Sequence, residues 1–143
     1  MNRRTAIAMS EAEVAAFLDA GRVLTVATTG RDGWPHLMPL WYVVRDGDCW
    51  AWTYAKSQKV RNLERDARCT LQVEAGDSYD QLRGAMLKCA AAIHHDPDVV
   101  AGVGTALGAR YGGGGHVTAA QASKRVALQF VVKEIASFDH RKI

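Results

Sequence analysis

The segment Trp52-Thr53-Tyr54-Ala55-Lys56-Ser57-Gln58-Lys59-Val60-Arg61-Asn62-Leu63 holds the strongest local concentration of chemistry in the chain. Strand-forming residues end, a polar turn follows, and a helix begins at once. Such a junction brings unpaired backbone N–H groups, the Ser57 hydroxyl and the Lys59 amine to one small volume, which is what a phosphate monoester or diester requires. Arg61 stands two residues beyond Lys59 and so does not share its helical face, leaving it to meet a different part of a long anionic ligand. Just upstream, Trp34, Trp41, Trp50 and Trp52 are close in sequence, with Trp50 and Trp52 on one side of their strand. A planar ring lying along Pro39-Leu40-Trp41 and carrying a phosphate to Ser57 and Lys59 would use both features together.

Other candidate groups form weaker constellations. The pair His94-His95 precedes a helix start and lacks both the HExxH spacing and a third ligand, so no metal is expected. Glu74, Asp77 and Asp80 read as a solvated loop rather than paired catalytic acids. Cys49, Cys69 and Cys89 stand among apolar neighbours at twenty-residue intervals, matching neither a zinc knuckle nor a redox CxxC, and read as small buried side chains. There is no GxSxG, no GxGxxG and no GxxxxGK[ST].

These groups must be positioned by a chain of 143 residues, the length of one domain covering 1–143. A formal charge of +3 with 23% charged residues describes an ordinary soluble globule, without the concentrated basic stripe of a nucleic-acid binder. The N-terminal residues lack the apolar core of a secretory signal, and no apolar run is long enough for a membrane span, so a cytoplasmic protein with neither nucleic acid nor membrane as partner is expected.

Ser10 followed by Glu13 is a capping box opening an amphipathic helix that stops near Gly21. Alternation then predicts strands over 22–29, over Pro35 to Val44, and over Cys49 to Tyr54, with Asp46-Gly47 as the hairpin turn between the last two. A short helix over Lys56 to Asp66 follows, then strands over Cys69 to Glu74 and Gln81 to Ile93. Asp96-Pro97 caps a helix running through Tyr111, Gly112 to Gly115 ends it, and Arg125 to Phe138 is one strand or a bulged pair. The tight connections between the first strands exclude a parallel α/β sheet. A mainly β fold with minor α, a six-stranded antiparallel barrel with peripheral helices, is the expectation.

The stretches VLTVATTGRDGWPHLMPLWYVVRDG, CWAWTYAKSQKVRNLERDARCTLQVEAG and YDQLRGAML, with the tail SFDHRK, resemble the split β-barrel superfamily of flavin and deazaflavin oxidoreductases that includes pyridoxamine 5'-phosphate oxidase. The resemblance is greatest to its actinobacterial branch, which uses the deazaflavin coenzyme F-420. It implies an enzyme transferring a hydride from the reduced cofactor to an electron-poor organic substrate, as a homodimer with cofactor sites between subunits. It places Thr53, Ser57, Gln58 and Lys59 at phosphate-binding positions, with Arg61 and Asn62 beginning the adjoining helix. Pro39, Leu40 and Trp41 fall on the strand facing the ring, and Tyr79 approaches from the other subunit. Tyr79, His140 and water are the candidate proton sources, without a choice among them. The chain departs from the oxidase pattern at Met38 and Val43, where an arginine and a lysine are expected, and at Gln58, which replaces a phosphate-binding arginine. Those losses argue against the oxidase activity itself and weaken an FMN pocket. F-420 is the expected cofactor and FMN the alternative, with a non-catalytic flavin, deazaflavin or haem binder as a further reading.

Overall fold

A computed structural model describes residues 2–143. After a short helix α1 (Arg3–Ala6), helix α2 (Glu11–Ala20) opens on a complete capping box: the Ser10 hydroxyl accepts from the Glu13 N–H at 3.1 Å, and the Glu13 carboxylate accepts from the Ser10 N–H at 3.0 Å. Gly21 ends it. Strands β1 (Leu24–Thr29), β2 (Pro35–Leu40), β3 (Val43–Arg45) and β4 (Asp48–Tyr54) follow. Asp46 and Gly47, both at positive φ, make the turn between β3 and β4. Helix α3 (Gln58–Arg65), strands β5 (Arg68–Ala75) and β6 (Arg83–His94), helix α4 (Pro97–Tyr111) and strand β7 (Arg125–Asp139) complete the chain. None of the helices is long and apolar enough to cross a membrane.

The strands form one antiparallel sheet in the order β2-β1-β5-β6-β7-β4-β3. Its two ends, β2 and β3, are consecutive in sequence and joined only by Trp41 and Tyr42, so the sheet curls until its edges are bridged by the chain itself. This corrects the expected count of six strands to seven. The extended segment 35–44 pairs with β1 through its first half and with β4 through its second. At the changeover the peptide groups of Tyr42 leave both ladders and are satisfied by side chains instead. Its N–H lies 3.1 Å from the Tyr111 hydroxyl, and its carbonyl accepts from Tyr111 at 3.0 Å and from Arg110 at 2.8 Å. Both prolines of β2 therefore stand on an edge strand, where a missing N–H costs least.

Inside the barrel, Leu24, Val26, Leu71, Val73, Leu87, Leu128 and Phe130 are fully buried. A second cluster lies outside, where Val100, Val103 and Leu107 of α4 cover Trp50 and Trp52 of β4. The β7 strand is continuous but irregular: Lys88 faces Glu134 while Cys89 faces Val132, so Lys133 is the extra residue of a bulge.

Candidate anion-binding turn and edge-strand hollows

Strand β4 alternates, turning Thr53 inward and Trp52 outward, and ends at the turn that leads into α3. Helix α3 buries Val60 and Leu63, and this same face carries Lys59 and Asn62 inward. The Lys59 ammonium donates to the Thr53 hydroxyl at 2.9 Å. Lys59 is 7% exposed, and among the described residues no carboxylate stands within ion-pairing distance of it. Burial holds its pKa below the ordinary lysine value.

Ser57 is the residue before α3, yet its hydroxyl caps no N–H of the first turn, and its buried oxygen has no partner among the described residues. A serine at this position ordinarily satisfies one of those N–H groups. The turn thus combines an uncompensated buried cation, an orphaned hydroxyl and uncapped helix N–H groups. All three are answered by an anion with several oxygens, and a phosphate meets that description.

The remaining residues expected at this site divide into distinct roles. Asn62 is fully buried and engaged within the protein: its amide nitrogen donates to Thr28 at 3.0 Å, and its oxygen accepts from Gln58 and Arg65, both at 2.8 Å. It locks α3 onto β1. Arg61 is exposed and pairs with Glu64 at 3.6 Å. Gln58 and Asn62 line a hollow of 480 Å³ with Trp34, Pro35 and His36. Pro39, Leu40 and Trp41 line another of 520 Å³ with Trp52, Gly104 and Gly108.

These two hollows lie at the two ends of β2, with Pro35 in one and Pro39 in the other. Only Leu37 and Met38 stand between their nearest lining residues, His36 and Pro39, about 10 Å apart at the rise of an extended chain. Between them β2 is the end strand of the sheet, paired with β1 on one side. Trp41 stacks on Tyr111 with centroids 4.5 Å apart, and the Arg22 guanidinium lies 4.4 Å from the Tyr111 ring centroid. Trp41 itself remains 56% exposed.

Two of these wall residues escaped sequence reasoning. Gly104 and Gly108 are one helical turn apart and present one small face of α4, a spacing that marks a close approach. A Cβ on Gly104 would lie 2.7 Å from the Trp52 ring at Cη2, so the glycine makes room for the indole. Tyr79 stands elsewhere, 68% exposed and tilted against His140 at 4.5 Å. Within one chain it is absent from both hollows beside β2. Burial pushes the thiols of Cys49, Cys69 and Cys89 up to about 12, which suits packing and not nucleophilic attack.

Comparison with known proteins follows the same architecture. The family model for pyridoxamine 5'-phosphate oxidase matches residues 10–139. A conserved hypothetical protein from Mycobacterium tuberculosis is 41% identical, with 99% of this chain and 92% of that one covered at a TM-score of 0.90. An F-420 reductase is 20% identical over 84% of this chain and 93% of that one, with a TM-score of 0.69. A FAD-binding protein from Mesorhizobium loti is 18% identical over 91% and 94%, with a TM-score of 0.70. At these last two identities the likeness is one of fold. No curated protein matches the chain. The family match runs from the cap of α2 to the end of β7 and takes in every strand of the barrel, and the chain belongs to the pyridoxamine 5'-phosphate oxidase family.

Proposed function

We propose that the protein is an F-420-dependent oxidoreductase that reduces an electron-poor organic substrate, such as a conjugated enone or quinone. The observation that carries this reading is the buried, uncompensated Lys59 ammonium beside the orphaned Ser57 hydroxyl, a pair that an anionic ligand completes. The F-420 reductase of the same fold supports the deazaflavin over an unrelated phosphate ester. So do the exposed cations Lys56 and Arg61, which offer contacts beyond the phosphate. The residues of the turn suit the group. Ser57 and Lys59 would hold its phosphate, and Pro39, Leu40 and Trp41 would flank its ring.

When bound, the reduced deazaflavin supplies a hydride. The chain's own work is positioning. Lys59 neutralises charge at the anchored end, and Thr53 keeps that ammonium in place. The apolar hollow bounded by Trp41, Trp52 and Leu107 keeps water from the ring. The site is completed between two copies of the chain, with Tyr79 and His140 available as proton donors.

Competitive binding at matched pH and two ionic strengths tests the assignment. F-420 carries carboxylates beyond its phosphodiester, so it should bind more tightly than FMN and lose affinity more steeply as salt rises. Lys59→Ala should weaken binding by about tenfold to a hundredfold through loss of a charge-assisted bond. Tighter FMN binding with equal salt dependence would reject F-420. Tight binding without consumption of the reduced cofactor across a substrate panel would make the protein a carrier.

A further inference from the structure

The far end of β7 carries a second concavity, of which the cofactor reading uses only His140 on the rim. Gln72 of β5, Met86 of β6 and Ala136 of β7 are aligned in register across three strands and form the floor of a hollow of 710 Å³, larger than either hollow beside β2. From Arg125, beside the end of β4, to Phe138 at this hollow runs about 40 Å of strand, so the site is remote from the Ser57 turn along the sheet.

Its rim combines apolar surface with positive charge. Ile7, Leu82 and Phe138 supply the apolar part, and the consecutive Arg3 and Arg4 of α1 supply the charge. The arginines stand on an anchored element. Asn2 caps α1 by accepting from the Thr5 N–H at 2.9 Å, the Ile7 carbonyl accepts from Asp139 at 2.7 Å, and the Met9 N–H donates to the Ser137 hydroxyl at 2.9 Å.

Nearby acids are engaged elsewhere. Asp139 pairs with Arg141 and Glu13 with Lys142, each at 2.8 Å, while Asp80 accepts from Ser78. Among the described residues no carboxylate pairs with Arg3 or Arg4. His140 adds an orphan: its Nδ1 is buried without a partner among the described residues, and its ring lies edge-on to Phe138 at 5.5 Å and tilted to Tyr79.

We infer that this hollow binds a flat, apolar carboxylate, an aromatic or polyene acid whose body lies on Met86 and Phe138 while its carboxylate meets Arg3 and Arg4. Its volume suits a small organic molecule. Planar guanidinium groups select a carboxylate over an uncharged head of the same shape. The inference rests on the arginines and the β5–β7 floor and shares only His140 with the proposed function.

Titration of isotope-labelled protein with 2-naphthoate, followed by amide resonances, tests it. Shifts should centre on Ile7, Leu82, Met86, Phe138 and His140. The uncharged 2-naphthamide should bind about tenfold more weakly. Replacing both arginines, Arg3→Gln with Arg4→Gln, should weaken the acid by about the same factor while leaving the amide unchanged. Both side chains are exposed and outside the core, and the same spectra report the fold of the variant. Equal affinity for acid and amide, indifference to the arginine changes, or shifts centred on Ser57 to Lys59 would each overturn the inference.

Discussion

Lys59 brings a positive charge into a site where, among the described residues, its bonded partner is a neutral hydroxyl, and that imbalance has two measurable consequences. Burial disfavours the ammonium, so the folded chain releases its proton at a lower pH than the ordinary 10.5. Affinity for an anionic ligand should therefore fall as pH rises through this lowered value, before an exposed lysine would titrate. Between the folded and unfolded values the unfolded chain binds more protons, so ligand-free stability should rise with pH over the same interval. Replacing the buried cation by an apolar side chain removes the penalty. Lys59→Met should melt no lower than the parent at neutral pH while losing ligand affinity. A large drop in melting temperature would instead make Lys59 a structural residue.

At the scale of elements, the closure of the barrel depends on one tyrosine. Tyr42 lies where the chain passes from β2 to β3; it is fully buried, and its hydroxyl donates to the Leu18 carbonyl at 2.6 Å. That bond ties the end of α2 to the crossover, and Arg110 reinforces the junction by donating to Tyr42, Leu18, Asp19 and Gly21 carbonyls. Tyr42→Phe keeps the ring but leaves the Leu18 carbonyl with only the longer bond from Arg110 at 3.3 Å, at a cost of about 0.5–1.5 kcal/mol in urea unfolding. A change within error would mean that water or Arg110 satisfies Leu18 equally well. In the helix opposite, Gly104→Ala drives a methyl group into the Trp52 ring and should both destabilise the fold and distort the hollow beside Trp41.

For the whole molecule, edge strand β2 and its flanks leave Trp34, Leu37 and Trp41 more than half exposed. Apolar side chains along an open strand edge invite a second chain. A homodimer joined through this region is expected. Light scattering at low micromolar concentration should give about twice the 15.6 kDa chain mass. Leu37→Glu places a charge in that surface and should shift the mass toward the single chain. A monomer for the parent protein would remove the two-copy site from the proposed function.

Caps and turns were legible in the amino-acid sequence because each is decided within a few residues. Ser10 and Glu13, Asp46-Gly47 and Asp96-Pro97 all appear where their local chemistry puts them. Alternation likewise marked the strands, and the residue types at 57–59 marked the candidate anion-binding turn. Tertiary structure decided what alternation cannot express. Residues 35–44 read as one strand because every residue is extended, yet pairing partners change at Tyr42 and make two. Lys59 and Arg61 look equivalent as cations, but the inward face of α3 buries the first without a counter-ion among the described residues while the second pairs with Glu64 in solvent. Asn62 stands where the resemblance puts a cofactor contact, and in the fold its side chain is engaged by Thr28 of β1 and by Gln58 and Arg65 of its own helix. In each case the deciding quantity is how an element packs against its neighbours, since desolvation and bond satisfaction depend on which elements pack together.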